Sequence, residues 1–178
     1  MGNFKEDIAK VKAFVFDVDG VFTDGGIIPL TNGDFIRQYN SKDGYAVTYA
    51  IRSGYHVAII TGGRGESLEL RFKMLGVTRY YPNIANKLSC LKEFMDELSL
   101  SPDEVMYMGD DIPDLDAMKH VGIPVCPADA VSEILEASRY VSQFKGGQGC
   151  VRDVIEQVLR AHDKWAKNTK GLHTVKSL

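Results

Sequence analysis

Cysteine is scarce in this 178-residue chain. Its three cysteines, Cys90, Cys126 and Cys150, are odd in number and widely spaced, with no paired-Cys pattern. That excludes a disulfide framework and a thiolate zinc site, and leaves them as small buried apolar residues. The four histidines, His56, His120, His162 and His173, show no metal-ligand spacing, so imidazole chemistry is not expected to carry function. Long apolar runs are also missing, and the chain opens on the polar MGNFKEDIAK, so neither a signal peptide nor a membrane span is expected. A formal net charge of −3 gives no general attraction to nucleic acid or to an anionic membrane, and an anionic ligand must be captured by a local pocket. A soluble cytoplasmic protein with a small-molecule partner is the expectation, with no nucleic-acid or membrane partner.

What the chain does have is a hydrophobic fraction of 44%, enough at this length for one substantial core but not for two. One domain over residues 1–178 is therefore expected. Short apolar runs, AFVFDV (13–18), HVAII (56–60), VTRYY (77–81), VMYMG (105–109) and GIPVC (122–126), alternate with segments of helical period. That alternation predicts an α/β fold, a doubly wound, Rossmann-like parallel sheet with helices on both faces. Asp43 and Arg64 to Glu66 stand near helix starts, and Gly54, Gly76 and Gly122 stand where left-handed C-terminal turns are expected. A last helix from Val151 to about Lys167 places Val151, Val154, Ile155, Val158, Leu159 and His162 on one stripe. One stretch interrupts the alternation. Around Asn32-Gly33, residues of about 26–40 predict a β-hairpin with a tight two-residue turn whose central residues both take positive φ. The terminal residues, about 168–178, are expected to be mobile on composition.

Four blocks carry chemistry. The first apolar run stops at Asp17-Val18-Asp19-Gly20 and the fourth at Gly109-Asp110-Asp111-Ile112-Pro113-Asp114. Ligand sites of open parallel sheets lie outside the carboxyl ends of the strands, although an isolated DxD followed by glycine is ordinarily no more than a turn. Capping a helix N-terminus is the ordinary role for carboxylates of the second block, and it suits Asp114 better than Asp110. Two acidic turns at one sheet end repel unless a cation sits between them, and oxygen ligands without Cys or His point to Mg²⁺. Thr61-Gly62-Gly63-Arg64 turns a strand into a helix and offers a hydroxyl and backbone N–H groups to an anion. Lys87, at another helix start, adds a positive charge.

In this order the blocks resemble the four motifs of the haloacid dehalogenase superfamily. The resemblance implies that Asp17 is a nucleophile forming an aspartyl-phosphate and Asp19 the general acid and base, which requires surroundings that favour its protonated form. It implies that Thr61 and Lys87 hold phosphoryl oxygens, that Asp17, the backbone carbonyl of Asp19 and Asp110 bind Mg²⁺, and that Asp111 and Asp114 support them from behind. Little chain separates the blocks, so the capless branch of the superfamily is the nearest, and an open site implies an oligomer that covers it. DGVFTDG, the hairpin, YNSKDGY and KGGQGCVRDV are similar to the 3-deoxy-D-manno-octulosonate 8-phosphate phosphatase family. That similarity implies a homotetramer whose hairpins join and whose subunits complete one another's sites. It also implies a phosphorylated sugar acid as substrate, met by Asn40, Ser41, Lys42, Asp43, Gly44, Gly63, Arg64 and Arg71. Thr48 and Gly63 depart from the arginines of many relatives, with Arg64 placed to compensate. A sister family acting on nine-carbon keto-sugar acid 9-phosphates often has Glu at the position of Gly63 and Lys near Met74; neither is here, which favours the eight-carbon substrate. The alternatives are that nine-carbon activity and a non-catalytic oligomerisation module.

Overall fold

The computed structural model describes residues 4–167; the expected mobile tail lies outside them. After a short α1 (Phe4–Asp7), strand β1 (Ala13–Phe16) leads into a tightly wound loop. The hairpin β2 (Ile28–Pro29) and β3 (Phe35–Ile36) follows, then α2 (Ser41–Arg52), β4 (His56–Ile60), α3 (Glu66–Met74), β5 (Arg79–Tyr81) and α4 (Lys87–Glu97). The second half runs β6 (Val105–Met108), α5 (Leu115–His120), β7 (Ile123–Cys126), α6 (Ser132–Ala137), β8 (Tyr140–Val141) and α7 (Cys150–Ala161). The main sheet has the order β5-β4-β1-β6-β7-β8 and every pairing in it is parallel. The expected doubly wound sheet is thus observed. Strand β8 adds an edge too short for any periodicity to reveal.

The two-residue period of the strands builds two cores. Phe14, Phe16, Met106 and Met108 pack with residues of α2, α3 and α7 on one face. Ala13, Val15, Val105 and Tyr107 pack with α4, α5 and α6 on the other. Inner strands buried on both sides must be continuously apolar, which is why these runs were legible. Helix α7 buries Val151, Val154, Ile155, Val158 and Leu159, at about 1.5–3 kcal/mol each. It ends at Ala161 and not near Lys167. Lys164 N–H donates to Leu159 and Asp163 N–H to Arg160, with Asp163 at φ 56, a Schellman stop built on Asp in place of Gly. His162 therefore caps the helix and its ring meets the Ala9 carbonyl at 2.8 Å.

Gly54 and Gly76 take the expected left-handed turns, at φ 89 and 84. Gly122 does not: it sits where a Cβ would come within 2.7 Å of Asp103 Cα, so close approach and not helix termination calls for glycine there. The hairpin turn also differs from expectation. Gly33 N–H donates to Leu30 and Leu30 N–H to Asp34, and of Asn32 and Gly33 only the glycine has positive φ. The loop thus holds three residues, the form in which a turn is followed by one left-handed glycine. All three cysteines are free and buried. Among the described residues no helix is long and apolar enough to cross a membrane.

Candidate active site

Register brings the two acidic turns together. Strands β1 and β6 are neighbours with Phe16 opposite Met108, and Asp17 N–H extends the ladder by donating to the Met108 carbonyl at 3.0 Å. The residues just past both strand ends, Asp17 and Asp110, therefore leave the sheet side by side. On the other flank Phe16 is opposite Ile59, which sets Thr61 at the same sheet end. Asn86 caps α4 by accepting from Ser89 N–H at 3.0 Å, and this start aims Lys87 into the same space.

Carboxylate oxygens of Asp17, Asp110 and Asp114 lie within 4.8 Å of one another. Lys87 Nζ stands 3.0 Å from Asp17 Oδ1 and 2.7 Å from Asp114 Oδ1, and Tyr107 OH donates to Asp114 Oδ1 at 2.8 Å. Asp17, Lys87 and Asp114 are buried. With all groups ionised, three carboxylates face one ammonium, so the cluster lacks two positive charges. Its electrostatics carry that mark. Burial, then the Asp114 charge, pushes Asp17 up to about 7 against the pull of Lys87. Burial, then Asp17 and Asp114, pushes Asp110 up to about 8. Burial pulls the Lys87 ammonium down, but the charges of Asp17 and Asp114 more than offset it and hold it above the ordinary lysine range. Asp110 Oδ1 and Asp114 Oδ2 are buried without a hydrogen-bond partner. Unpartnered hard oxygens around a charge deficit of two fit a divalent cation such as Mg²⁺.

Glycines make this approach possible. A Cβ on Gly20, at φ 87, would stand 1.9 Å from Asp110 Oδ2, and one on Gly146 would stand 2.0 Å from the Gly20 carbonyl oxygen. The late KGGQG segment thus packs directly behind the Asp19 loop, and Gly147 N–H donates to the Val21 carbonyl at 2.9 Å.

The expected residues separate into two groups. Asp17, Asp19, Thr61, Gly63, Lys87, Asp110, Asp111 and Asp114 line one cleft of about 540 Å³. Thr61 Oγ1 accepts from Gly63 N–H at 3.0 Å, which leaves its proton free to donate. Helix capping falls to Asp111, whose Oδ1 accepts from Ile112 N–H at 2.8 Å, and not to Asp114, whose side chain makes no such bond. The second group does not line this cleft in its own chain. Asn40 caps α2 through Lys42 N–H at 2.9 Å, with Ser41 and Lys42 exposed. Asp43 is buried and accepts from Arg152 N–H at 2.7 Å, capping α7. A Cβ on buried Gly44 would meet Arg71 Nη2 at 2.4 Å, and the Arg71 guanidinium lies over the Tyr39 ring. Arg64 lines a separate cleft with the hairpin tip. Thr48 donates to the Leu75 carbonyl at 3.1 Å, a purely structural contact. A somewhat larger cleft, about 580 Å³, opens at the far end of the strands, where Lys10 and Lys12 already pair with Asp103 and Glu104.

One residue of the site was not expected. Arg37 Nε and Nη2 reach both Asp19 oxygens, at 2.7 and 3.0 Å. Asp19 therefore stands in a two-bond ion pair with a hairpin side chain. The signal for Arg37 was the alternation of its hairpin strand, in which Phe35, Arg37 and Tyr39 turn inward and Ile36 and Gln38 outward. Two-residue strands are too short for that pattern to stand out.

A sequence model of haloacid dehalogenase-like hydrolases matches residues 77–154. The chain is also similar to the 3-deoxy-D-manno-octulosonate 8-phosphate phosphatase KdsC of Yersinia pestis, 40% identical over 156 residues that cover 88% of this chain and 83% of that protein. The chain belongs to the 3-deoxy-D-manno-octulosonate 8-phosphate phosphatase family. Solved structures of the family share its fold. The Y. pestis enzyme superposes with a TM-score of 0.87 at 38% identity, covering 90% of this chain and 87% of the other. The Moraxella catarrhalis phosphatase, solved in complex with magnesium ion, phosphate ion and KDO, gives a TM-score of 0.85 at 30% identity over 89% and 91% of the two chains. A magnesium ion in that relative accords with the charge deficit found here.

Proposed function

We propose that this chain is a single-domain, capless, Mg²⁺-dependent phosphomonoesterase that removes phosphate from 3-deoxy-D-manno-octulosonate 8-phosphate. The observation that carries the reading is the cluster of buried Asp17 and Asp114 and half-buried Asp110 about Lys87, short of two positive charges, in a member of this family. Asp17, the Asp19 backbone carbonyl and Asp110 hold the ion, with Asp111 and Asp114 behind them. When bound, magnesium supplies charge that lets a carboxylate approach a phosphate dianion. Lys87 Nζ and the Thr61 hydroxyl hold phosphoryl oxygens and stabilise the charge that spreads over them in flight.

An Asp17 oxygen attacks phosphorus, the bond from phosphorus to the sugar oxygen breaks, and Asp19 gives its proton to the departing alkoxide. Water then attacks the aspartyl-phosphate, Asp19 takes its proton back, phosphate leaves and the Asp17 carboxylate is restored. Covalent catalysis divides one slow step into two faster ones. Ile27, Ile28, Leu30 and Ile36 of the hairpin are 43–61% exposed, an apolar arm suited to a homotetramer in which hairpins join and neighbours complete the open sites. In such an assembly exposed Ser41 and Lys42, with Asn40, Asp43, Gly44, Gly63, Arg64 and Arg71 about them, serve the sugar acid. A charged sugar phosphate does not cross membranes unaided, so the reading includes a cytoplasmic location.

The test is phosphate release with Mg²⁺ across eight- and nine-carbon keto-sugar acid phosphates and hexose phosphates. The expected result is preference for the eight-carbon substrate and its loss in Asp17→Asn. Unimpaired turnover by Asp17→Asn refutes the mechanism, and equal rates across the panel refute the substrate.

A further inference from the structure

The hairpin sends one charged side chain inward. Arg37 has only 4% of its side chain exposed, while its neighbour Ile36 is 51% exposed. Its guanidinium meets Asp19 edge-on through two bonds, 2.7 Å from Nε to Oδ1 and 3.0 Å from Nη2 to Oδ2, with the Phe35 ring 5.6 Å from Cζ. Glycine at position 63 keeps this fork uncrowded. A Cβ there would lie 3.1 Å from Arg37 Nη2, 3.2 Å from Thr61 Oγ1 and 3.4 Å from Asp19 Oδ2. The three groups thus converge on one point beside the phosphoryl-binding turn.

The arm that carries Arg37 is fixed at its tip as well. Asp34 accepts from Phe35 N–H at 2.7 Å, from Ser67 N–H at 3.3 Å and from Ser67 Oγ at 3.2 Å, which ties the hairpin turn to the first turn of α3. The hairpin is therefore strapped at two points, one on a helix start and one on the carboxylate of Asp19. Two parallel bonds from a planar guanidinium set both the position and the plane of a carboxylate, whereas a lysine ammonium sets a distance only.

We propose that Arg37 is a positioning residue for the proton-transfer step, holding the Asp19 carboxylate in the plane from which it serves the leaving oxygen, so that the seating of the hairpin governs that step. The proposal rests on the phosphatase reading above, with Asp19 as acid and base. Its signature is selective. A sugar alkoxide needs a proton in order to leave, and a p-nitrophenolate does not, so misdirecting Asp19 slows the first half-reaction of the one more than of the other.

The experiment measures that half-reaction by rapid quench, with enzyme in excess, for the sugar-acid phosphate and for p-nitrophenyl phosphate. The proteins are wild type, Arg37→Gln, Arg37→Lys and Asp34→Ala, each checked for folding by thermal unfolding. For Arg37→Gln the sugar-phosphate rate is expected to fall at least about tenfold, part of the ~10²–10⁴ that positioned acid–base catalysis contributes. The aryl-phosphate rate should fall by about threefold or less, and KM should move little, because a leaving group that needs no proton gains little from the acid. Arg37→Lys should recover only part of the loss, and Asp34→Ala should show the same selectivity to a smaller degree. Equal losses on both substrates, a raised KM at unchanged kcat, or full recovery in Arg37→Lys would each overturn the proposal. Should Arg37→Gln not fold, Asp34→Ala decides, and an unselective loss there overturns it. Wild type inactive on both substrates, or Asp17→Asn fully active, sinks the phosphatase reading and this proposal with it. Wild type active with Asp17→Asn inactive leaves the outcome at Arg37 bearing on the proposal alone.

Discussion

Replacing Asp110 by Asn changes both the stability of the metal-free protein and its response to magnesium, in directions the cluster dictates. In the folded chain Asp110 sits at about 8 and Asp17 at about 7, each raised from an ordinary 3.8. Folded protein thus binds protons that the unfolded chain has released. The contribution of these carboxyls to stability is complete below about pH 4 and is lost as pH rises toward 8. Every tenfold gain in proton affinity on folding corresponds to about 1.4 kcal/mol, so raises of this size put the shared penalty at pH 8 at several kcal/mol, as an order of magnitude. That is a large part of the ~5–15 kcal/mol that holds a domain folded. Wild type in EDTA should therefore lose melting temperature between pH 5 and pH 8, and Asp110→Asn should lose less. Magnesium at about 100 times its Kd adds ~2.7 kcal/mol, a rise of about 5–10 °C for a chain of this size. Asp110→Asn should show less than about a third of that rise, since the ion loses one of its few carboxylates. Scanning calorimetry with EDTA or MgCl₂ across this pH range reads all of it. A flat or rising wild-type profile in EDTA, or an undiminished magnesium shift in the variant, refutes the reasoning.

Further outcomes follow from single contacts. Gly20→Ala puts a methyl 1.9 Å from Asp110 Oδ2 at a residue with φ 87; magnesium titration should show affinity lowered at least about tenfold, besides ~1–2 kcal/mol of backbone strain. Tyr107→Phe removes the donor to Asp114 and should cost about 1–3 kcal/mol in chemical denaturation, since a buried carboxylate loses a partner. The paired change Ile28→Asp and Ile36→Asp charges two facing, exposed hairpin residues; light scattering should report a smaller particle, with the melting temperature of the monomer's core unchanged within about 2 °C.

Much of this protein follows from sequence alone. Short apolar runs marked the inner strands β1, β4, β6 and β7, because an inner strand is covered on both faces. Gly54 and Gly76 marked helix ends, because only a residue free of Cβ strain reverses the chain there at no cost. The strand-terminal clusters at Asp17 and Asp110 were visible for a similar local reason: carboxylates and glycines end an apolar run abruptly. Each of these signals acts between residues a few positions apart.

Tertiary structure alone decided the rest, because pairing and burial join residues far apart in the chain. Strand order set β1 against β6, and a register of Phe16 on Met108 turned two separate acidic loops into one cluster. Burial gave Asp114 to Lys87 and Asp111 to the helix cap, a choice the spacing GDDxxD leaves open. It also turned Asp43 away from the cleft, onto the start of a helix 109 residues later. The guanidinium on Asp19 comes from a hairpin residue 18 positions on, whose inward side is set by the sheet end it folds over. Local sequence specifies which groups are present, and the packing of distant elements specifies which of them lose water and meet.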